Sequence, residues 1–114
     1  MIKSVGLLTR KEGFSHEDFV KHWYEIHAPL AHAVPGVRRY VQSHILDERT
    51  RPDIPTTEVE IDGIAELWYD DIAAMERASA TPEAKRLHDD GALFIGRIKS
   101  FVVEERVIIP MTPG

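Results

Sequence analysis

Histidines at positions 16, 22, 27 and 32 fall within one stretch, Ser15 to Tyr40, together with Trp23 and the tyrosines Tyr24 and Tyr40. An imidazole has an unperturbed pKa of about 6.5, so it gives or takes a proton near neutrality after small tuning by its surroundings. His27 is the first candidate for such a role, because it sits at the margin of an apolar helical stripe and just before Pro29. Tyr40 is the second. Its hydroxyl could hold a carbonyl oxygen or stabilise a developing enolate. Substrate contacts are expected from His22, Trp23, His44, Glu66 and Trp68: the two tryptophans as apolar walls for a flat ring, His44 and Glu66 as a second titrating pair on neighbouring strands.

Each of these residues also has an ordinary role. His27 could be a packing histidine that bonds a carbonyl freed near Pro29, and Tyr40 a core tyrosine with its polar tip satisfied. His44 and Glu66 could be a plain cross-strand pair, the tryptophans ordinary core, and His22 a helix-edge surface residue. His16, His32 and His88 are assigned to solvent or helix-end positions.

Other chemistries find little support. His22 and His27 are five residues apart, about 140° round an α-helix, and would not share a face as an i, i+4 metal pair does. Gly91 to Gly96 lacks the strand-turn-helix setting of a phosphate loop. There is no serine elbow, and no cysteine at all, which disfavours acyl transfer through a covalent intermediate. No metal and no cofactor is therefore expected.

The elements that must position these residues follow from periodicity and punctuation. Residues 2 to 9 read as a strand with apolar side chains on both faces, which requires cover on both. Ser15 reads as an N-cap with Glu17 and Asp18 in the first turn. At about 100° per residue, Phe19, Trp23, Ile26, Leu30 and Ala33 form one apolar stripe, with His27 and His22 on its two edges. Pro29 has no N–H for the carbonyl of Glu25 and crowds it, so a kink is expected just after His27. Pro35-Gly36 ends the helix. A second strand over 37 to 45 places Tyr40, Gln42 and His44 on one face as a candidate pocket wall. Residues 46 to 60, acidic and holding Pro52 and Pro55, form a long connection of the kind that serves as a lid or a disordered tip. A third strand spans 61 to 69. Asp70 or Asp71 caps a short helix, Thr81-Pro82 opens another that ends near Gly91, and a last strand covers 98 to 107. The tail from Ile108 is expected to be loosely held or to reach a partner subunit.

The order β-α-β-β-α-β, with the second helix split, is that of an α+β ferredoxin-like split βαβ fold with a four-stranded antiparallel sheet. One domain over residues 1 to 114 is expected. Helices cover one face of such a sheet, and a second copy of the chain is the simplest cover for the other, giving a homodimer. A net charge of −5 argues against a nucleic-acid partner. No apolar run approaches the roughly 20 residues needed to cross a bilayer. With no cysteine and no leader-like pattern, a cytoplasmic location is expected.

Phe19, His22-Trp23, His27-Ala28-Pro29-Leu30, Pro35-Gly36 with Tyr40, Gly63 to Tyr69, Thr81-Pro82-Glu83 and Glu104-Glu105 occur in an order and spacing that resembles the EthD family of dimeric α+β barrels. The resemblance runs from Ile2 to about Val107. It implies a homodimer with sheets packed face to face and a ligand cavity between each sheet and its own helices. It also implies kinship with cofactor-free methylmuconolactone methylisomerases, in which a first-helix histidine and the tyrosine after Pro-Gly belong to the active site. Those positions correspond to His27 and Tyr40. The same enzymes use a third-strand cysteine and a loop histidine. This chain has neither, so an identical reaction is not implied.

The resulting expectation is a cofactor-free isomerase or lyase acting by acid/base chemistry on a small cyclic or aromatic-derived catabolite, with a lactone among the candidates. Alternatives are a non-catalytic ligand-binding accessory protein of an oxygenase or ether-degradation pathway, and a cofactor-free monooxygenase.

Overall fold

The computed structural model describes residues 1–113. Strand β1 (Ile2–Arg10) lies inside the sheet, antiparallel to β3 (Gly63–Tyr69) on one side and to β4 (Ile95–Glu104) on the other. Strand β2 (Arg39–His44) pairs with β3, so the order is β2-β3-β1-β4. This is the ferredoxin-like split βαβ arrangement, α+β with a four-stranded antiparallel sheet. No helix among the described residues is long and apolar enough to cross a membrane.

Helices α1 (His16–His22), α2 (Ala28–Ala31), α3 (Ile72–Ser79) and α4 (Pro82–Phe94) lie on one face of the sheet. Three caps follow from side-chain chemistry. Ser15 accepts the N–H of Asp18, Asp71 that of Ala74, and Thr81 that of Ala84. Helix α4 passes through Gly91 and stops at Phe94, because Leu87, Gly91 and Phe94 continue one buried stripe. That burial outweighs the roughly 1 kcal/mol cost of a helical glycine. β4 consequently starts at Ile95, three residues earlier than the apolar pattern suggests. Residues 46 to 60 hold no helix or strand, only an isolated bridge between Arg51 and Ile54.

The first helix departs from regular α geometry in an instructive way. Residues Trp23–His27 form a π-helical turn in which the N–H of Ala28 donates to the carbonyl of Trp23, five residues back. Pro29 removes the donor that Glu25 would receive and crowds its carbonyl, and a π-turn relieves both. The distortion thus precedes Ala28 instead of following His27. It adds about one residue to the turn, so every later side chain is rotated by roughly 100° relative to an ideal helix. The buried positions become Phe19, Trp23, His27, Ala31 and Val34, while Ile26 is 54% exposed. His27 moves from the edge of the stripe to its centre.

Two glycines are required by geometry. Gly36 takes φ +89° in the turn that ends the first helix, a conformation that disfavours any side chain. Gly63 opens β3 directly beneath Trp23, where a β-carbon would overlap the six-membered ring of the indole. The core falls into two parts. Leu8, Phe19, Trp23 and Phe94 pack at one end, and Ala31, Val34, Tyr69, Ala74, Ala78, Ala84 and Leu87 at the other.

Candidate active site

Between the helices and the sheet lies a cavity of about 400 Å³, walled by Trp23 and His27 from the first helix, Tyr40 from β2, Leu67 and Tyr69 from β3, and Leu87 from α4. Ile98 and Ser100 of the edge strand β4 line it while remaining exposed, so it opens along that edge. Most of this lining is apolar, and its polar groups are few, as in a pocket for a small organic ring.

His27 is 8% exposed, and its Nδ1 lies 2.8 Å from Oδ2 of Asp90. His22 reaches the same carboxylate, with Nε2 3.1 Å from Oδ1. A carboxylate only accepts, so both imidazoles donate to it, and His27 carries its proton on Nδ1. Nε2 of His27 has no hydrogen bond among the described residues and is left as a free lone pair on a cavity-lining side chain. Burial pushes the His27 pKa below its ordinary value, against the opposing pull of Asp90. A neutral imidazole oriented by a carboxylate has the form that general-base chemistry requires.

Phe94, fully buried, supports both rings, with centroid distances of 4.5 Å to His22 and 5.1 Å to His27. The two histidines meet one carboxylate only because of the π-turn, which brings residues five apart to the same side. The 140° separation expected of a regular helix does not apply here. Among the described residues, no group of three His, Cys, Asp or Glu side chains is arranged to hold a metal ion.

Tyr40 lines the cavity from the sheet side, and its hydroxyl accepts from Gln42 Nε2 at 2.9 Å. Burial raises its pKa, so the hydroxyl stays protonated and able to donate. His44 lies on the same strand face but stacks on Trp23 at 4.8 Å and bonds Gln42.

Glu66 and Trp68 are elsewhere. They point from β3 to the opposite face of the sheet, beside Val5 and Lys3 in the register, and cannot share the cavity with His27 and Tyr40. Glu66 pairs with Lys3 at 2.5 Å, and Trp68 donates to Glu105 while Lys3 and Arg39 lie over its ring. The expected pair of His44 with Glu66 therefore does not form, because a strand alternates faces at every residue.

Asp90 was not anticipated. An acidic side chain three residues after Leu87 and four before Phe94, on the margin of an apolar stripe, was the available signal. His88 is exposed and lines the cavity. His16 bonds the buried Asp62, which also takes the backbone N–H and guanidinium of Arg10. Burial alone would raise the Asp62 pKa, but these donors together bring it below the usual carboxylate range. Asp62 thus fastens the end of β1 and has no place in the cavity.

The EthD domain pattern matches residues 11–98. The chain belongs to the EthD family. Among its relatives, a 4-carboxymethyl-4-methylbutenolide mutase of Pseudomonas reinekei is 32% identical over 111 residues, which span 94% of this chain and 100% of that protein. An EthD-family protein of Bacillus halodurans, solved by crystallography, superimposes with a TM-score of 0.75 at 27% identity, covering 93% of this chain and 99% of the other. A dimeric protein with a ferredoxin-like fold from Bacteroides fragilis shares the fold, with a TM-score of 0.64 at 10% identity over 91% of this chain and 95% of the other. The relatives thus include a butenolide mutase.

Proposed function

We propose that this EthD-family protein is a cofactor-free isomerase that moves a proton on a small cyclic compound, with a butenolide-type lactone as the leading substrate class. The observation that carries the reading is the pairing, across one apolar cavity, of a carboxylate-oriented imidazole with an unpaired Nε2 and a protonated tyrosine. Similarity to a butenolide mutase supports it.

In this mechanism Nε2 of His27 removes a proton from a carbon activated by the lactone carbonyl. The C–H electron pair flows to the carbonyl oxygen, and the enolate so formed accepts a hydrogen bond from Tyr40. The His27 imidazolium, still bonded to Asp90, returns the proton to another carbon of the conjugated system. One proton leaves and one arrives, with no oxidant or reductant. Trp23 supplies an apolar wall for the ring, His22 steadies Asp90, and His44 acts at a distance through Gln42.

Incubation with γ-crotonolactone, whose ring CH2 is acidified through conjugation with the carbonyl, in deuterium oxide, followed by proton NMR, tests this directly. Deuterium uptake next to the carbonyl, or rearrangement, at a rate above buffer is expected. Tight binding with neither would mark a ligand-binding accessory protein instead.

The protein is further proposed to work as a homodimer in the cytoplasm. The sheet face opposite the helices carries Val5, Leu7, Val41, Ile64 and Val103, an apolar surface suited to a second copy, and the Bacteroides fragilis protein of the same fold is dimeric. Sedimentation at micromolar concentration should give twice the chain mass; a monomer would rule this out.

A further inference from the structure

The hydrogen bonds on the sheet side of the cavity run in one direction. A backbone carbonyl only accepts, and the Trp23 carbonyl lies 2.9 Å from Gln42 Nε2. The side-chain amide must therefore turn its nitrogen, not its oxygen, toward the helix. That same nitrogen lies 2.9 Å from the Tyr40 hydroxyl, so its second proton goes to the phenolic oxygen. At the other end of the amide, Oε1 lies 3.0 Å from Nε2 of His44, which donates to it.

Three alternate residues of β2 thus form a row in which His44 donates to Gln42 and Gln42 donates to Tyr40. Tyr40 receives from its neighbour and cannot give back. A phenol has one proton and two lone pairs. With Gln42 on its acceptor side, the Tyr40 hydroxyl keeps a proton that no acceptor among the described residues receives, on a side chain that lines the cavity.

We propose that Gln42 is a positioning residue that commits Tyr40 to donate into the cavity, so that the cavity selects ring compounds presenting an acceptor oxygen, a carbonyl or lactone, to Tyr40. The inference rests on the role given to Tyr40 above. It adds both the device that fixes the proton's direction and the polarity of the group received. A ring presenting only a donor at that point, such as an ammonium or a pyrrole-type N–H, would meet a second donor and bind poorly. The π-turn takes part, because it is the Trp23 carbonyl, already bonded to Ala28, that sets the amide's orientation.

Gln42→Glu reverses the row at its centre. A carboxylate of nearly the same shape accepts the Tyr40 proton and draws it away from the cavity. With γ-crotonolactone as probe, the bound carbonyl stretch should shift to lower frequency in the wild-type protein, and this shift should be lost alike in Tyr40→Phe and Gln42→Glu. Affinity should fall about tenfold in either variant, the value of one well-placed hydrogen bond, and the double variant should be no worse than either single one. A merely structural role for Gln42 would instead give additive losses.

Retention of the shifted stretch in Gln42→Glu, with its loss in Tyr40→Phe, overturns the inference and leaves the reading of Tyr40 standing. Retention in Tyr40→Phe overturns both. Should Gln42→Glu fail to fold, or the lactone leave the wild-type spectrum unmoved, titration of the Tyr40 Cζ resonance in wild type and Gln42→Met decides the direction alone. Loss of the donor raises the Tyr40 pKa; an unchanged value overturns the inference.

Discussion

On the outer face of the sheet, Lys3 lies between Glu66 and Glu105, and Trp68 sits beneath Lys3 and Arg39 with its indole N–H on Glu105. On the helix-covered face, His27, Asp90, Tyr40 and Gln42 make up an equally dense polar group. Both faces carry charged and aromatic side chains in hydrogen-bonding contact, yet only the inner group lines the cavity. Outside, the charges find opposite charges, and the Lys3 pKa is raised chiefly by its hydrogen bond to Glu66. Inside, each working group is paired on one side only: Nδ1 of His27 is bonded and Nε2 is free, while the Tyr40 oxygen is occupied and its proton is not. In the proposed mechanism, reactivity comes from being held at one end and left open at the other, in a cavity where burial shifts both pKa values toward the neutral forms.

Substitutions on the two faces should break this comparison cleanly if it is wrong. The largest effect is expected from His27→Gln, which keeps the volume but removes the base. Deuterium exchange on γ-crotonolactone should slow by about 10²- to 10⁴-fold.

Next comes Asp90→Asn, with a loss on the order of tenfold to a hundredfold, as when the partner behind a working histidine is removed from a metal site. The pH profile sharpens this. Because the His27 pKa is lowered, the acid limb of exchange should lie below pH 6.5. Asp90 acts to raise that pKa, so its loss should move the limb further down. Stability carries the same sign: below about pH 6.5 the unfolded chain takes up a proton that folded, neutral His27 resists, so the urea midpoint should fall as pH drops through that range.

Gly63→Ala should cost about 1–3 kcal/mol of unfolding free energy, since its methyl group would displace the fully buried Trp23. Thermal melts monitored by circular dichroism would measure it, and an unchanged melting temperature would show that the indole is free to move.

The smallest effect belongs to the outer face. Glu66→Gln should leave exchange unchanged, since its side chain lies on the face away from the cavity. A large loss of exchange there would contradict the separation of the two faces.

Much of the fold was legible because its signals are local. Ser15, Asp71 and Thr81 cap the helices they precede, Gly36 turns the chain, and two-residue alternation marks the strands. The ring-wall role expected of Trp68 and the titrating role expected of Glu66 rest on residue type, with no signal for which sheet face meets the helices. Alternation groups Glu66 with Trp68, and Tyr40 with His44, but it does not say whether the two groups share a side, since both faces of β1 and β3 carry apolar residues.

The sequence by itself determined the β-α-β-β-α-β order, the caps and turns, the presence of a helix breaker at Pro29, and the family to which His27 and Tyr40 point. Only the tertiary structure decided that Pro29 is accommodated by a π-turn upstream of it, that this turn carries His27 into the interior, and that Asp90 from a helix more than sixty residues later meets both histidines. The physical reason is one of range. Caps and alternation are fixed by neighbours along the chain, whereas the choice between a kink and a π-turn depends on what the freed carbonyl and the rotated side chains find across the cavity, and those partners come from β2 and α4.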